Sequence, residues 1–307
     1  MRELVKKRET AVRRILGSLC VAAVFLAVVP VDGAEAGQES LFIEAEELAR
    51  IMSAPDVRVI DAADEAAYAR AHIPGAVNVF YTNLAKLDER RKSGSPLPAA
   101  DAEKTFGAAG IDAKTRVVVY DAGDGPAASG VWFVLQHMGH DNVRVLNGGF
   151  RKWMKEGRPV TQDVPKVPKK KFAAKPRLDQ VVTTEWVKKN RERKDVVILD
   201  ARSFKEFIGE EVKGGASRGG HVPGAVHYEW ARMSGSLETL KPLDEIRKDL
   251  ESRGITRDKE IVTYCNTGIG RSTDVAMVLK MLGYEKVREY TGSWEDWSSD
   301  PRLPIAK

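Results

Sequence analysis

Ile261-Val262-Thr263-Tyr264-Cys265-Asn266-Thr267-Gly268-Ile269-Gly270-Arg271-Ser272 passes from a short apolar, β-branched run into a loop with two glycines. The run reads as a buried strand. Ser272-Thr273-Asp274, ahead of the apolar-periodic segment Val275 to Leu282, reads as a helix start. Two glycines let the intervening backbone curl so that several N–H groups converge. The helix aims the positive end of its dipole at the same point. Cys265 stands at the end of the strand, on the rim of that cup. A thiol there loses its proton readily, and the thiolate is the nucleophile. A lone cysteine beside an ordinary turn would be read as a small buried apolar residue. The glycines, Arg271 and the helix start together favour a nucleophile.

Outward from this loop, the chain repeats itself. Val57-Arg58-Val59-Ile60-Asp61-Ala62 and then His72-Ile73-Pro74-Gly75-Ala76-Val77 are matched by Val196-Val197-Ile198-Leu199-Asp200-Ala201 and His221-Val222-Pro223-Gly224-Ala225-Val226. Val117-Val118-Val119-Tyr120-Asp121 matches Ile261 to Cys265. Gly148-Gly149-Phe150 with Trp153 matches Gly292-Ser293-Trp294 with Trp297. The step from Tyr120 to Trp153 equals that from Tyr264 to Trp297. Shared order, motifs and spacing indicate duplication of a domain-sized unit, with a period too long for a solenoid. Short apolar strands alternate with helix-like segments: Ala127 to Met138 before Val143 to Leu146, and Val275 to Leu282 before Val287 to Tyr290. The pattern predicts an α/β fold in which each half is a mostly parallel sheet flanked by helices, with ligands at the carboxyl ends of the strands. The expected units are residues 40–160 and 179–307. The linker, 161–178, carries Pro165, Pro168 and Lys169-Lys170-Lys171. It reads as a solvated, semi-rigid connector.

The 307 residues, 43% hydrophobic and 30% charged, suit two ordinary domains with adequate cores. A formal net charge of +5 is weak evidence for a polyanion, and no nucleic-acid partner is expected. Residues 1–36 read as a secretory signal peptide. Lys6, Lys7, Arg8, Arg13 and Arg14 form the basic leader, Ile15 to Val31 the apolar segment, and Ala34-Glu35-Ala36 the cleavage site. An uncleaved anchor is the alternative, at the lower limit of spanning length. The mature protein is expected to be exported, periplasmic or secreted, without stable membrane insertion. Cys20 leaves with the leader, so Cys265 is the one cysteine of the mature chain. A lone thiol in an oxidising compartment is a liability unless it is used.

With the duplication and the cysteine loop in view, residues 40–307 resemble the tandem-domain rhodanese family, the thiosulfate and 3-mercaptopyruvate sulfurtransferases. The carriers are the paired Asp-Ala and His-[Ile/Val]-Pro-Gly-Ala-Val motifs, the Cys-x-Thr-Gly loop and Gly292-Ser293-Trp294. The resemblance implies two rhodanese-like domains of which only the second is catalytic. It implies a persulfide on Cys265 that carries sulfane sulfur from a small anionic donor to a thiophilic acceptor such as cyanide, a thiol or a protein thiol. It implies no cofactor and no metal. It also implies that Asn266, Thr267, Gly268, Ile269, Gly270 and Arg271 cradle the donor, and that Arg202 binds it. Asp121 stands where Cys265 stands in the second half. A carboxylate is a poor sulfur nucleophile and repels an anionic donor, so the first half is expected to wall the cleft rather than react. His72 and His221, present in both halves, read as turn residues rather than bases. Trp294 and Trp297 read as packing. Ile208 takes the place of the second substrate arginine of mercaptopyruvate enzymes, with Lys213 and Arg218 nearby. Thiosulfate is therefore the expected donor.

Two other readings fit the same residues. Cys265 and Arg271 form Cys-x5-Arg followed by Ser272, the spacing with which a thiolate and an arginine grip a phosphoryl group. A persulfide on Cys265 could equally serve a non-enzymatic carrier that hands sulfur to a partner protein.

Overall fold

The computed structural model describes residues 40–86, 95–236 and 239–307. The expected leader, with Cys20 and the cleavage site, lies outside the described residues. From residue 39 onward the chain is one compact unit.

The first half runs β1 (Phe42–Ile43), α1 (Ala45–Ile51), β2 (Val57–Asp61), α2 (Glu65–Arg70), β3 (Val77–Asn78), a small antiparallel pair β4 (Ala85–Lys86) and β5 (Ser95–Pro96), α3 (Ala99–Ala108), β6 (Arg116–Tyr120), α4 (Pro126–His137), β7 (Val143–Leu146) and α5 (Gly149–Lys155). The second runs β8 (Val181–Val182), α6 (Thr184–Asn190), β9 (Val196–Asp200), α7 (Phe204–Phe207), β10 (Val226–His227), α8 (Leu243–Ser252), β11 (Glu260–Tyr264), α9 (Arg271–Met281), β12 (Val287–Tyr290) and α10 (Ser293–Ser299). Each half holds a five-stranded sheet, ordered β1-β7-β6-β2-β3 in the first and β8-β12-β11-β9-β10 in the second. Both are wholly parallel. The registers match too, with Asp61 beside Tyr120 and Asp200 beside Tyr264. The duplication read from the motifs is therefore a duplication of fold. The central strands β6 and β11 are covered on both faces, which explains why four consecutive residues of each are buried.

Trp153 and Trp297 are fully buried, and their indole N–H groups donate to Pro159 O and Pro304 O, both at 2.8 Å. His72 and His221 pin the chain that closes each half. His72 exchanges backbone hydrogen bonds with Thr161, and His221 does so with Ala306. Their rings stack on Tyr68 and Phe207 at 3.9 and 3.6 Å. These are structural roles, as the motif's presence in both halves implied.

The two halves join through α4 and α9. Ile269 and Met277 of the second half lie in the core of the first. Gly130 on α4 makes the approach possible, since a Cβ there would meet Ile269 Cγ1 at 3.1 Å and the Tyr81 ring at 3.2 Å. Burying side chains of this size contributes about 1.5–3 kcal/mol each.

The linker is more than a connector. Residues 162–177 carry no helix or strand and are mostly exposed, as expected, yet they are pinned to the first half. Phe172 is 4% exposed and belongs to the first half's core. Lys170 N donates to Gly107 O, Lys175 N to Met138 O and Arg177 N to His137 O, at 2.8–3.0 Å. Gly107 lets this strap lie on α3, because a Cβ would stand 2.7 Å from Lys170 O. An extended, proline-bearing segment has no hydrogen bonds of its own, and here it takes them from the domain it has just left. Among the described residues no helix is long and apolar enough to cross a membrane.

Candidate active site

The site sits at the carboxyl end of β11, where parallel sheets place ligands. Cys265 is the first residue after the strand and is 2% exposed. Its N–H donates to Ser293 Oγ at 3.1 Å, and its carbonyl accepts from Trp294 N at 3.0 Å. Ser293, at the head of α10, holds a positive φ of 52°, alone among the described non-glycine residues, so the rim behind Cys265 is fixed by a strained residue. Gly268 and Gly270 turn the loop at φ of 74° and 110°. A Cβ on Gly268 would lie 2.3 Å from Thr291 O, so only glycine closes this turn against the neighbouring strand end.

α9 begins at Arg271, earlier than the apolar periodicity from Val275 indicates. Gly270 N donates to Thr273 Oγ1 at 3.0 Å, which caps this end. The first turn is polar yet buried, because it faces the site and the other half; periodicity detects only apolar faces. From that turn Ser272 Oγ donates to Cys265 Sγ at 3.2 Å.

The first-half loop shows what such a loop holds. Asp121, in the position of Cys265, turns its carboxylate back to accept Gly123 N, Gly125 N and Ala128 N at 2.8, 3.3 and 3.0 Å. Burial, then the charge of Asp124, pushes the Asp121 carboxyl up to about 6. In the second half the N–H groups of Asn266, Thr267, Gly268 and Ile269 meet no acceptor among the described residues. The loop's N–H donors are taken by a carboxylate in one half and have no acceptor among the described residues in the other.

The arginines are placed differently from the expectation. Arg202 is 1% exposed; its Nε and Nη2 reach Asp200 at 2.6–3.2 Å, and Nη2 also donates to Gly220 O at 2.7 Å. Its guanidinium lies 4.6 Å from the Trp294 ring centroid and 5.6 Å from that of Tyr264. It is an internal anchor beneath the site, and its fork is taken by Asp200 rather than offered to a donor. Arg271 stands over Trp230 at 5.2 Å and pairs with Glu206 at 2.6 and 3.2 Å. Burial pushes the Glu206 carboxyl up, but its hydrogen bonds to Arg271 outweigh this and hold it at about 2. Asn266 Nδ2 donates to the same carboxylate at 3.0 Å. Arg218 spends its guanidinium on four backbone carbonyls around Ser298 and Leu303. Lys213 pairs with Glu211.

Two features escaped the sequence. Glu289, 1% exposed on β12, accepts Thr263 Oγ1 at 2.7 Å. Burial, then the charge on Cys265, pushes its carboxyl well above the usual range, while Ser272 and Thr263 pull it down. The repeat held the signal, since Val145 occupies the matching place in the first half. Tyr81, from the first half, covers the loop near Gly270. Burial and the charge on Cys265 push its phenol up. The first half thus walls the Cys265 loop. At the same seam Asp274 comes so close to Gly125 that a Cβ there would stand 2.9 Å from Oδ1.

Among the described residues no cluster of His, Cys, Asp and Glu could hold a metal ion. Known proteins agree with the geometry. The rhodanese-like domain matches residues 44–156 and again 183–300. A thiosulfate sulfurtransferase of Azotobacter vinelandii is 35% identical over 86% of this chain and 96% of its own. The sulfur carrier protein TtuD of Thermus thermophilus is 36% identical over 82% and 92%. A solved EanB variant in complex with ergothioneine superposes with a TM-score of 0.77 at 26% identity, covering 87% of this chain and 70% of that one. A doubled parallel sheet, one cysteine-bearing loop and one blocked copy of it, with the family's domain matched twice along the chain, make this protein a member of the rhodanese family, a sulfurtransferase of two rhodanese-like domains.

Proposed function

We propose that the protein moves sulfane sulfur from thiosulfate to a thiophilic acceptor through a persulfide on Cys265. The Cys265 thiolate attacks the outer sulfur of thiosulfate. The donor's S–S bond breaks, sulfite leaves with the bonding pair, and Cys265 keeps one added sulfur. Cyanide, a thiol or a protein thiol then takes that sulfur and returns the thiolate.

The observation that carries this reading is the open loop. Its N–H groups at Asn266 to Ile269 lack acceptors among the described residues, beside a cysteine hydrogen-bonded by Ser272. A compact dianion suits such donors and a helix N-terminus. Mercaptopyruvate would need its carboxylate and ketone held together, and Arg202, Arg271 and Arg218 are each committed within the protein. The same commitment of Arg271 to Glu206 weakens the phosphatase reading, which needs a free guanidinium. The carrier reading keeps support from TtuD, a sulfur carrier by name. Export through residues 1–36 belongs to this proposal, and N-terminal sequencing of the secreted fraction tests it.

The decisive experiment is the intact mass after thiosulfate, then after 3-mercaptopyruvate. One added sulfur with thiosulfate, absent in Cys265→Ser, supports the reading; loading by mercaptopyruvate alone overturns the donor. Turnover with cyanide then separates an enzyme from a carrier.

A further inference from the structure

The two halves diverge at a place where everything around the difference is alike. In the second half the Arg202 guanidinium is held by the Asp200 carboxylate, the Gly220 carbonyl and the rings of Tyr264 and Trp294. In the first half Ala63 stands at the position of Arg202, and a cavity of about 300 Å³ opens there. Each group that holds Arg202 has its counterpart on that cavity: Asp61, Ala71, Tyr120 and Phe150.

The carboxylates are built in identically. Asp200 accepts the Tyr264 hydroxyl on Oδ2 and Arg202 N on Oδ1 at 3.0 Å. Asp61 accepts the Tyr120 hydroxyl on Oδ2 at 2.8 Å and Ala63 N on Oδ1 at 2.9 Å. Asp61 is 3% exposed and forms no ion pair with an arginine or lysine among the described residues; the His72 ring is the cationic group that favours its charge. A buried carboxylate without a paired countercharge is costly.

We propose that this cavity is a binding site for a small guanidinium compound, whose cation takes the place against Asp61 that the Arg202 side chain takes against Asp200. A guanidinium offers the carboxylate a planar fork of N–H groups and lays its face on aromatic rings. The protein displays that same complex within its other half. Arg70 stands exposed on the cavity's lining. Its charge disfavours a second cationic end and suits a carboxylate, so free arginine fits better than a dication such as agmatine. The site is separate from Cys265, and its failure leaves the sulfur-transfer reading untouched.

Isothermal titration of the mature protein with propylguanidinium, L-arginine, agmatine and neutral propylurea tests the proposal. One-to-one binding of propylguanidinium and arginine is expected, weaker binding of agmatine, and none of propylurea. Asp61→Asn, which can keep the Tyr120 hydrogen bond, should weaken binding at least about tenfold. Ala63→Arg installs the second half's own occupant and should abolish it. If Asp61→Asn does not fold, Ala63→Arg decides alone, since that residue is accommodated at the matching position. A silent wild type overturns the proposal, as does binding that survives Ala63→Arg. A silent wild type with binding restored in Arg70→Ala also overturns it, because Arg70 would then be the countercharge.

Discussion

Ser272 donates its hydroxyl to the Cys265 sulfur across 3.2 Å, from the first turn of the helix that starts at Arg271. A hydrogen bond to a charged group contributes about 1.5–3 kcal/mol. Ser272→Ala is expected to slow the loading of Cys265 with sulfur from thiosulfate by about tenfold or more. An unchanged loading rate, read by intact mass against time, would remove Ser272 from the activation of the cysteine.

Glu289 lies beside Cys265, and burial, then the charge on Cys265, holds its carboxyl up. An acid raised on folding stabilises the fold while protonated, and that contribution is lost as pH rises through its folded value. Glu289→Gln keeps the volume and can still accept the Thr263 hydroxyl. It should raise the melting temperature at pH 8 and change it little at pH 5. Equal melting shifts at both pH values would leave Glu289 as core alone.

Arg271 and Glu206 form an ion pair in which the carboxylate is 1% exposed. Arg271→Ala strands that charge and is expected to destabilise by about 3 kcal/mol. Adding Glu206→Gln should recover most of the loss. Because the folded Glu206 group sits at about 2, below its unfolded value, its contribution is full above roughly pH 4.5 and lost as pH falls toward 2. Urea titrations of the single and double variants read the coupling; additive losses would deny it.

Asp274 faces Asp121 and Asp124 across the seam between the halves. Burial, then those charges, pushes Asp274 well above its ordinary value, and Asp121 stands at about 6. An acid raised on folding stabilises the folded state while protonated, and that stability is lost as pH rises from its unfolded value through the folded one. Asp274→Asn should therefore raise the melting temperature at pH 8 and change it little at pH 5. Equal shifts at both pH values in calorimetry would defeat the assignment.

The strands, the repeat and the cysteine loop were legible because they are written in local chemistry: apolar runs, glycines, a cysteine at a strand's end. The fates of Arg202 and Arg271 were not. An arginine looks the same in sequence whether its fork is open or taken by Asp200 or Glu206, and those pairs are set by packing. Glu289 was hidden for the opposite reason. A single acid in a strand is unremarked until the fold seats it beside Ser272 and Thr263. The linker's anchoring was missed because lysines and prolines mask one buried Phe172.

That strap carries a lesson for taking the molecule apart. The first copy does not end where its last helix ends, at Lys155; it ends at Arg177, after Phe172 has been seated in its interior. A fragment stopped at residue 160 would leave a hole where that ring belongs, and a protease cutting near Phe172 would injure the first copy instead of merely parting two. The connector has been annexed by the copy before it, so the natural seam for dissection falls at the 3₁₀ turn Leu178–Gln180.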